Sequence, residues 1–154
     1  MPSDSQQFKD LAKKITARAK NIREAILAVR KFVYKTMRPD MSKADLRDAS
    51  DLLKTRKGMC GNFAVLTTTI LRAAGIPTKM VAGVFGWTGT FYYHAWCESW
   101  DGHTWLGVDS TVEDDQFSAG HLKLAAGNVE AARGAVYFGS PSIHIVDFSR
   151  TISN

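Results

Sequence analysis

Residues 56–80 read RKGMCGNFAVLTTTILRAAGIPTKM. Two cations lead into Gly58-Met59-Cys60-Gly61, where a helical pattern starts. Phe63, Leu66, Ile70 and Leu71 recur at helical spacing, Gly75 suits the left-handed position past a helix end, and Pro77 follows. The spacing predicts a helix from Cys60 to about Ala74 with a thiol at its N-terminal end. Thr67, Thr68 and Thr69 are poor helix formers, so burial must carry this helix. A cysteine acts as a nucleophile in its thiolate form, and the N–H groups and dipole at a helix start favour a negative sulfur. Arg56 and Lys57 are expected to add to that. Gly58 and Gly61 are expected to let the backbone turn and a substrate approach.

Outward from this helix the period changes. TKMVAGVFGW (78–87), FYYHAWCESW (91–100) and HTWLGVDST (103–111) alternate as strands. Asp101-Gly102 between the last two is a signal for a type I′ hairpin. Upstream, Phe8, Leu11 and Ile15 mark a first helix behind cap candidates Ser3, Asp4 and Ser5. Asn21 and Glu24 form a capping-box pattern before a second helix, with Ile22, Ile26, Val29, Phe32 and Val33 on one face and Pro39 as its stop. Residues 39–58 read as loop with a short helical turn at DASDLLKT. Downstream, a helix is expected near Val129–Phe138 and a last strand at SIHIVDF. Helices first and then an antiparallel meander give an α+β fold with a helix packed on a sheet.

The 154 residues, 45% hydrophobic and 23% charged, fit one globular domain and exclude a disordered chain. The net charge is +5 and the basic residues crowd the first third. They fall at helical spacing and do not interleave with aromatics, so a solvated helix face is the reading, with a nucleic-acid patch ranked behind it. Two cysteines are too few for a disulfide scaffold, and no CxxC pair marks a zinc site. The polar start has no apolar leader, and no run approaches the ~18 apolar residues of a membrane span. A soluble chain is expected. The compartment stays open between the cytoplasm and a piece of an exported protein, as does the oligomeric state.

Cys60, His94 and Asp109 carry the chemistry. Counted outward from the Asp101-Gly102 turn, His94 and Asp109 stand opposite one another (101 − 94 = 7; 109 − 102 = 7), on one face of the sheet. An aspartate there orients the imidazole. The Cys60 helix, packed on that same face, brings the sulfur to the other ring nitrogen. This is a thiol–imidazole–carboxylate arrangement for acyl transfer, with helix-start N–H groups for the oxyanion. The same trio as a metal site matches no zinc spacing. Cys97 alternates to the opposite face and reads as packing. His103, His121 and His144 have no partner pattern and read as structural. Tyr92 and Trp96 share the His94 face and are candidates, with Gly61, for substrate or oxyanion contacts. Glu113, Asp114 and Asp115 read as a solvated turn.

KGMCGNFAVLTTTILRAAGIPTKMVAGV, FYYHAWCESW and WLGVDST, in this order, resemble the core of the transglutaminase-like superfamily of papain-like cysteine enzymes. The resemblance covers about residues 50–112. Residues 1–40 resemble the helical lead-in of bacterial members, and HLKLAAGN the stretch that follows the core. Cys97, where an aliphatic residue is usual, and Ser110, where proline is common, depart from the pattern.

The resemblance implies one papain-like domain over 1–154, with 113–154 as a C-terminal extension. It implies Cys60 as nucleophile, His94 as general base and acid, and Asp109 as orienting carboxylate. It also implies a protein or peptide substrate. No cofactor or metal is expected, since no acidic loop matches the calcium sites of animal transglutaminases. Hydrolysis as a protease or amidase is favoured over amine cross-linking. An inactive fold serving as a binding module is the alternative.

Overall fold

A computed structural model describes residues 2–42, 45–87, 90–113 and 117–127. The helix expected near Val129–Phe138 and the strand expected at SIHIVDF lie outside them. The chain runs α1 (Gln6–Thr16), α2 (Ile22–Thr36), β1 (Arg38–Pro39), α3 (Ala49–Thr55), β2 (Lys57–Gly58), α4 (Cys60–Ala73), β3 (Thr78–Trp87), β4 (Thr90–Trp100), β5 (Trp105–Val108) and β6 (His121–Gly127). It is an α+β fold in which α4 lies between the other helices and an antiparallel sheet of order β5-β4-β3-β6.

The lead-in helices form where their caps and stripes predict. Ser5 occupies the cap position of α1 without a capping side-chain bond, and Phe8 and Ala12 are fully buried. On α2 the Glu24 N–H donates to Asn21 Oδ1 at 2.9 Å, while Glu24 Oε2 reaches one residue further back, to the Lys20 N–H at 2.8 Å. The buried face of α2 is Ala25, Ile26, Val29, Arg30 and Val33. Ile22, expected on it, is 42% exposed. It sits in the first turn, where the helix overhangs the core toward the Gly102 turn. Arg30, read with the solvated cations, is 3% exposed: its guanidinium donates to the carbonyls of Val112 (2.5 Å) and Glu113 (2.9 Å).

α4 is the central element, buried on every side from Gly61 to Leu71 rather than along one stripe. Its threonines are tolerated because Thr67 and Thr69 donate to the carbonyls four residues back, both at 2.8 Å, and Thr67 also pairs with Ser110 Oγ at 2.7 Å. Gly75, at φ 78°, ends the helix: the Ile76 N–H bonds to the Leu71 carbonyl and the Gly75 N–H to that of Arg72, a Schellman closure.

The β4–β5 register differs from the expected one. Trp100 pairs with Trp105 and Cys97 with Val108, so the loop has four residues. Asp101 organises it by accepting the N–H groups of His103 and Thr104 at 2.8 and 2.7 Å, which displaces the two-residue Asp-Gly turn. The slip is two residues, and alternation has period two, so His94 and Asp109 stay on one face.

The seat of α4 is also corrected. Cys97 Sγ lies 3.1 Å from Thr68 Oγ1 and 3.3 Å from the Ala64 carbonyl, so α4 packs on the Cys97 face, opposite His94. β6, at HLKLAAG, is a strand the alternation did not predict. It pairs with β3 through a register shift at Ala82/Gly83.

Candidate active site

Cys60 opens α4 behind Met59, a cap residue with no capping side-chain bond. Its sulfur accepts the Gly61 and Ala95 backbone N–H groups and is hydrogen-bonded to His94. A strand's N–H groups lie in the plane of the sheet. β5 stops opposite Cys97, so the edge of β4 beyond it is open at Ala95. Cys60 enters there. This is how a helix on the Cys97 face delivers its first residue to a histidine on the other.

His94 Nε2 lies 2.7 Å from Asp109 Oδ2, which leaves Nδ1 for the sulfur. Asp109 follows the last residue of β5 and is closed from solvent, with 2% of its side chain exposed. Its Oδ1 accepts the Thr111 N–H at 2.8 Å and the Thr111 hydroxyl at 2.7 Å. Its Oδ2 takes a second imidazole besides His94: His121 Nε2, at 3.1 Å.

The electrostatics run along this line. Burial pushes the Asp109 carboxyl up, but hydrogen bonds from His121, His94 and Thr111 outweigh it and hold the group far below the carboxylate range. Burial pushes His94 down, and the hydrogen bonds and charges of Asp109 and Cys60 override that and raise it to about 9. Burial pushes the Cys60 thiol up, and the hydrogen bond and charge of His94, with the two backbone N–H groups, bring it below its ordinary value. Both shifts favour thiolate with imidazolium over the neutral pair. Arg56 and Lys57 are exposed, and the cation that acts on the sulfur is His94. Cys97, fully buried, is pushed up to about 12.

The glycines beside Cys60 have a different reason from the expected one. A Cβ on Gly58 would lie 2.5 Å from Asn62 Cβ, and one on Gly61 would lie 2.5 Å from Leu46 Cδ2. They make room for the 45–47 loop, which Asn62 ties down by accepting the Arg47 N–H at 2.9 Å and donating to the Asp45 carbonyl at 3.1 Å. Gly61 is therefore closed to substrate, and its N–H is directed at the sulfur.

Trp96 is 2% exposed, packed beside His94, Phe117 and His121. It forms the floor of the site and lines no open wall. Tyr92, on the same face, is 56% exposed.

His121, read as structural, is the site residue the sequence concealed. It comes from β6, across β3 from His94. The donor atoms of His94, Asp109 and His121 lie within 4.8 Å of one another, the one group among the described residues close enough for a metal ion. Both Nε2 atoms are engaged on the same carboxylate oxygen.

The model of the transglutaminase-like superfamily matches residues 9–110, from α1 to the residue after Asp109. The chain belongs to the transglutaminase-like superfamily. Its members are papain-like cysteine enzymes, and the fold here is of that kind.

A protein-glutamine gamma-glutamyltransferase of Pseudomonas aeruginosa is 36% identical over 112 residues, covering 64% of this chain and 16% of that protein. A provisionally assigned cysteine protease from Cytophaga hutchinsonii superposes with a TM-score of 0.74 at 22% identity, over 99% of this chain and 55% of that one. The periplasmic domain of TgpA from Pseudomonas aeruginosa gives 0.55 at 26% identity, over 69% of this chain and 42% of that one. This chain thus spans a small part of its curated superfamily relative. No helix among the described residues is long and apolar enough to cross a membrane.

Proposed function

We propose that this superfamily member is a cysteine-dependent acyl-transfer enzyme acting on peptide or carboxamide bonds, with water as its principal acceptor. The observation that carries the reading is the continuous hydrogen-bonded line Cys60–His94–Asp109. The Cys60 thiolate attacks the carbonyl carbon, forming a C–S bond and an oxyanion. Helix-start N–H groups, that of Cys60 first, face the developing charge. His94 gives its proton to the leaving nitrogen as the C–N bond breaks, and a thioester remains. Water then attacks the thioester, His94 takes its proton, and the C–S bond breaks to release acid and thiolate. Asp109 keeps the imidazole oriented and its cation stabilised throughout. Tyr92 is the exposed neighbour for a substrate backbone or ring.

Water is the favoured acceptor because it needs no binding site. An amine arrives as a cation, and among the described residues the carboxylates of this face are engaged, Asp109 by histidines and Glu98 by Lys79 and Lys123. Amine transfer is the second reading, favoured by the name of the Pseudomonas aeruginosa relative.

The test is mass spectrometry of glutamine-containing peptides and an unfolded protein substrate, with and without a primary amine. Cleavage or deamidation that vanishes in Cys60→Ser supports hydrolysis. An amine adduct as the main product supports the second reading. No Cys60-dependent product in any arm would leave the fold as a binding module.

A further inference from the structure

We propose that His121 is a positioning residue of this site, its Nε2–H holding the Asp109 carboxylate in the orientation that presents Oδ2 to His94. The role rests on the reading of Cys60–His94–Asp109 as the reacting line, and it adds a residue beyond the span the superfamily model matches.

Asp109 needs such a holder. Val108 makes the last rung of β5, so the ladder does not fix the backbone of Asp109. Its carboxylate is fixed by donors instead. Thr111 supplies two to Oδ1, and His94 and His121 supply one each to Oδ2. Without His121 the imidazole that has to move a proton would be the only side chain among the described residues ordering Oδ2.

His121 is itself well anchored. Only 2% of its side chain is exposed, and its ring packs at 4.0 Å from Phe117, 4.4 Å from Phe85 and 5.1 Å from Trp96, centroid to centroid. Its backbone belongs to the β3–β6 ladder, opposite Phe85. Ser118 covers Nδ1 with its hydroxyl at 3.2 Å and its carbonyl at 3.1 Å. The hydroxyl can donate to a bare Nδ1, and the neutral ring then carries its proton on Nε2, facing Asp109.

The sheet is shaped for this contact. Gly83, at the β3–β6 register shift, lets β6 close over β3 toward Trp96.

The experiment follows iodoacetamide alkylation of Cys60 against pH in wild type, His121→Phe and His121→Gln, with thermal unfolding of each. Phenylalanine keeps the ring packing and removes the donor; glutamine restores an N–H. The expected result is a Cys60 rate at pH 6 roughly tenfold lower in His121→Phe, the scale of one lost hydrogen bond to a charged group. His121→Gln should recover most of it at an unfolding temperature close to wild type.

An unchanged or faster Cys60 in His121→Phe, or equal losses in both variants, would overturn the role while leaving the site reading intact. An ordinary thiol titration in wild type would overturn the site reading and this role with it. If His121→Phe does not fold, long-range proton–nitrogen spectra of the wild-type imidazoles decide: a proton on His121 Nε2 supports the role, and a proton on Nδ1 alone refutes it.

Discussion

Gly83 stands directly opposite His94 in the β3–β4 ladder, and no side chain fits there. A Cβ would lie 2.2 Å from the Leu122 carbonyl oxygen and 2.6 Å from Trp96. The first is backbone and the second is the far edge of a ring that Phe117 and His121 hold in place. Gly83→Ala therefore has to push β6 away from β3 or turn Trp96 out of the floor. The expected cost is about 1–3 kcal/mol, the usual range for overpacking, read from the denaturant midpoint. Cys60 alkylation should slow with it, because the displaced strand carries His121. Wild-type stability in Gly83→Ala would show that the sheet is looser than this closure implies.

The pH dependence of stability follows from His94. Folding raises it from 6.5 to about 9. A raised basic group stabilises the fold fully below its unfolded pKa and loses that contribution as the pH climbs through the folded value. The margin of wild type over His94→Gln should be full near pH 6 and shrink between about 6.5 and 9. Asp109 acts at the other end. Its depressed carboxyl stabilises fully above about pH 4 and loses this only in strong acid. Denaturant midpoints of both proteins across pH 5.5–9.5 check the window. A margin that stays flat through it would mean that His94 is not held as an imidazolium.

The two cysteines should separate cleanly by reactivity. Cys60 is partly exposed and brought below the ordinary thiol range, while Cys97 is fully buried and pushed up to about 12. In the native protein at pH 7, alkylation should label Cys60 alone, with Cys97 reacting only after unfolding. Peptide mapping gives the answer directly. Native labelling of Cys97 would contradict its seat between Ala64 and Thr68.

What the sequence disclosed and what it hid divide along a physical line. The Cys60 helix, its Schellman end and the shared face of His94 and Asp109 are local or period-two features, and each is present in the structure. The β4–β5 register was two residues off because Asp101 makes an Asx-type turn. That bond depends on a side chain reaching two and three residues on, which the Asp-Gly pair does not announce. The seat of α4 is not legible in the sequence because the edge entry of Cys60 depends on where β5 stops. His121 stayed hidden for another reason. Its strand pairs with β3 from more than thirty residues away, and HLKLAAG has neither β-branched residues nor clean alternation. The one legible trace is a histidine next to Gly120, ten residues past the end of WLGVDST, and a single chain gives that no meaning.

Arg30 offers the last test. It lies nearly two turns before the end of α2, yet its guanidinium crosses to the loop after Asp109 and donates to the Val112 and Glu113 carbonyls. Thr111, which holds Asp109 Oδ1, is the next residue back along that loop. Removing the guanidinium leaves two carbonyls without their charged donor in a partly buried place and frees the segment that clamps the carboxylate. Arg30→Met keeps the apolar stem, so packing against Ile26 and Val33 on the same helix face is largely retained. The expected loss is roughly 2–4 kcal/mol for two hydrogen bonds to a charged group, accompanied by slower Cys60 alkylation at pH 6. Arg23→Met is the matched control from the same helix: its side chain is 62% exposed and paired with Asp101, so it should cost less and leave Cys60 unaffected. If the two variants lose the same stability and neither touches Cys60, the arginine anchors the helix and not the site. A slower Cys60 in Arg30→Met alone makes the α2 cation part of what holds Asp109 in place.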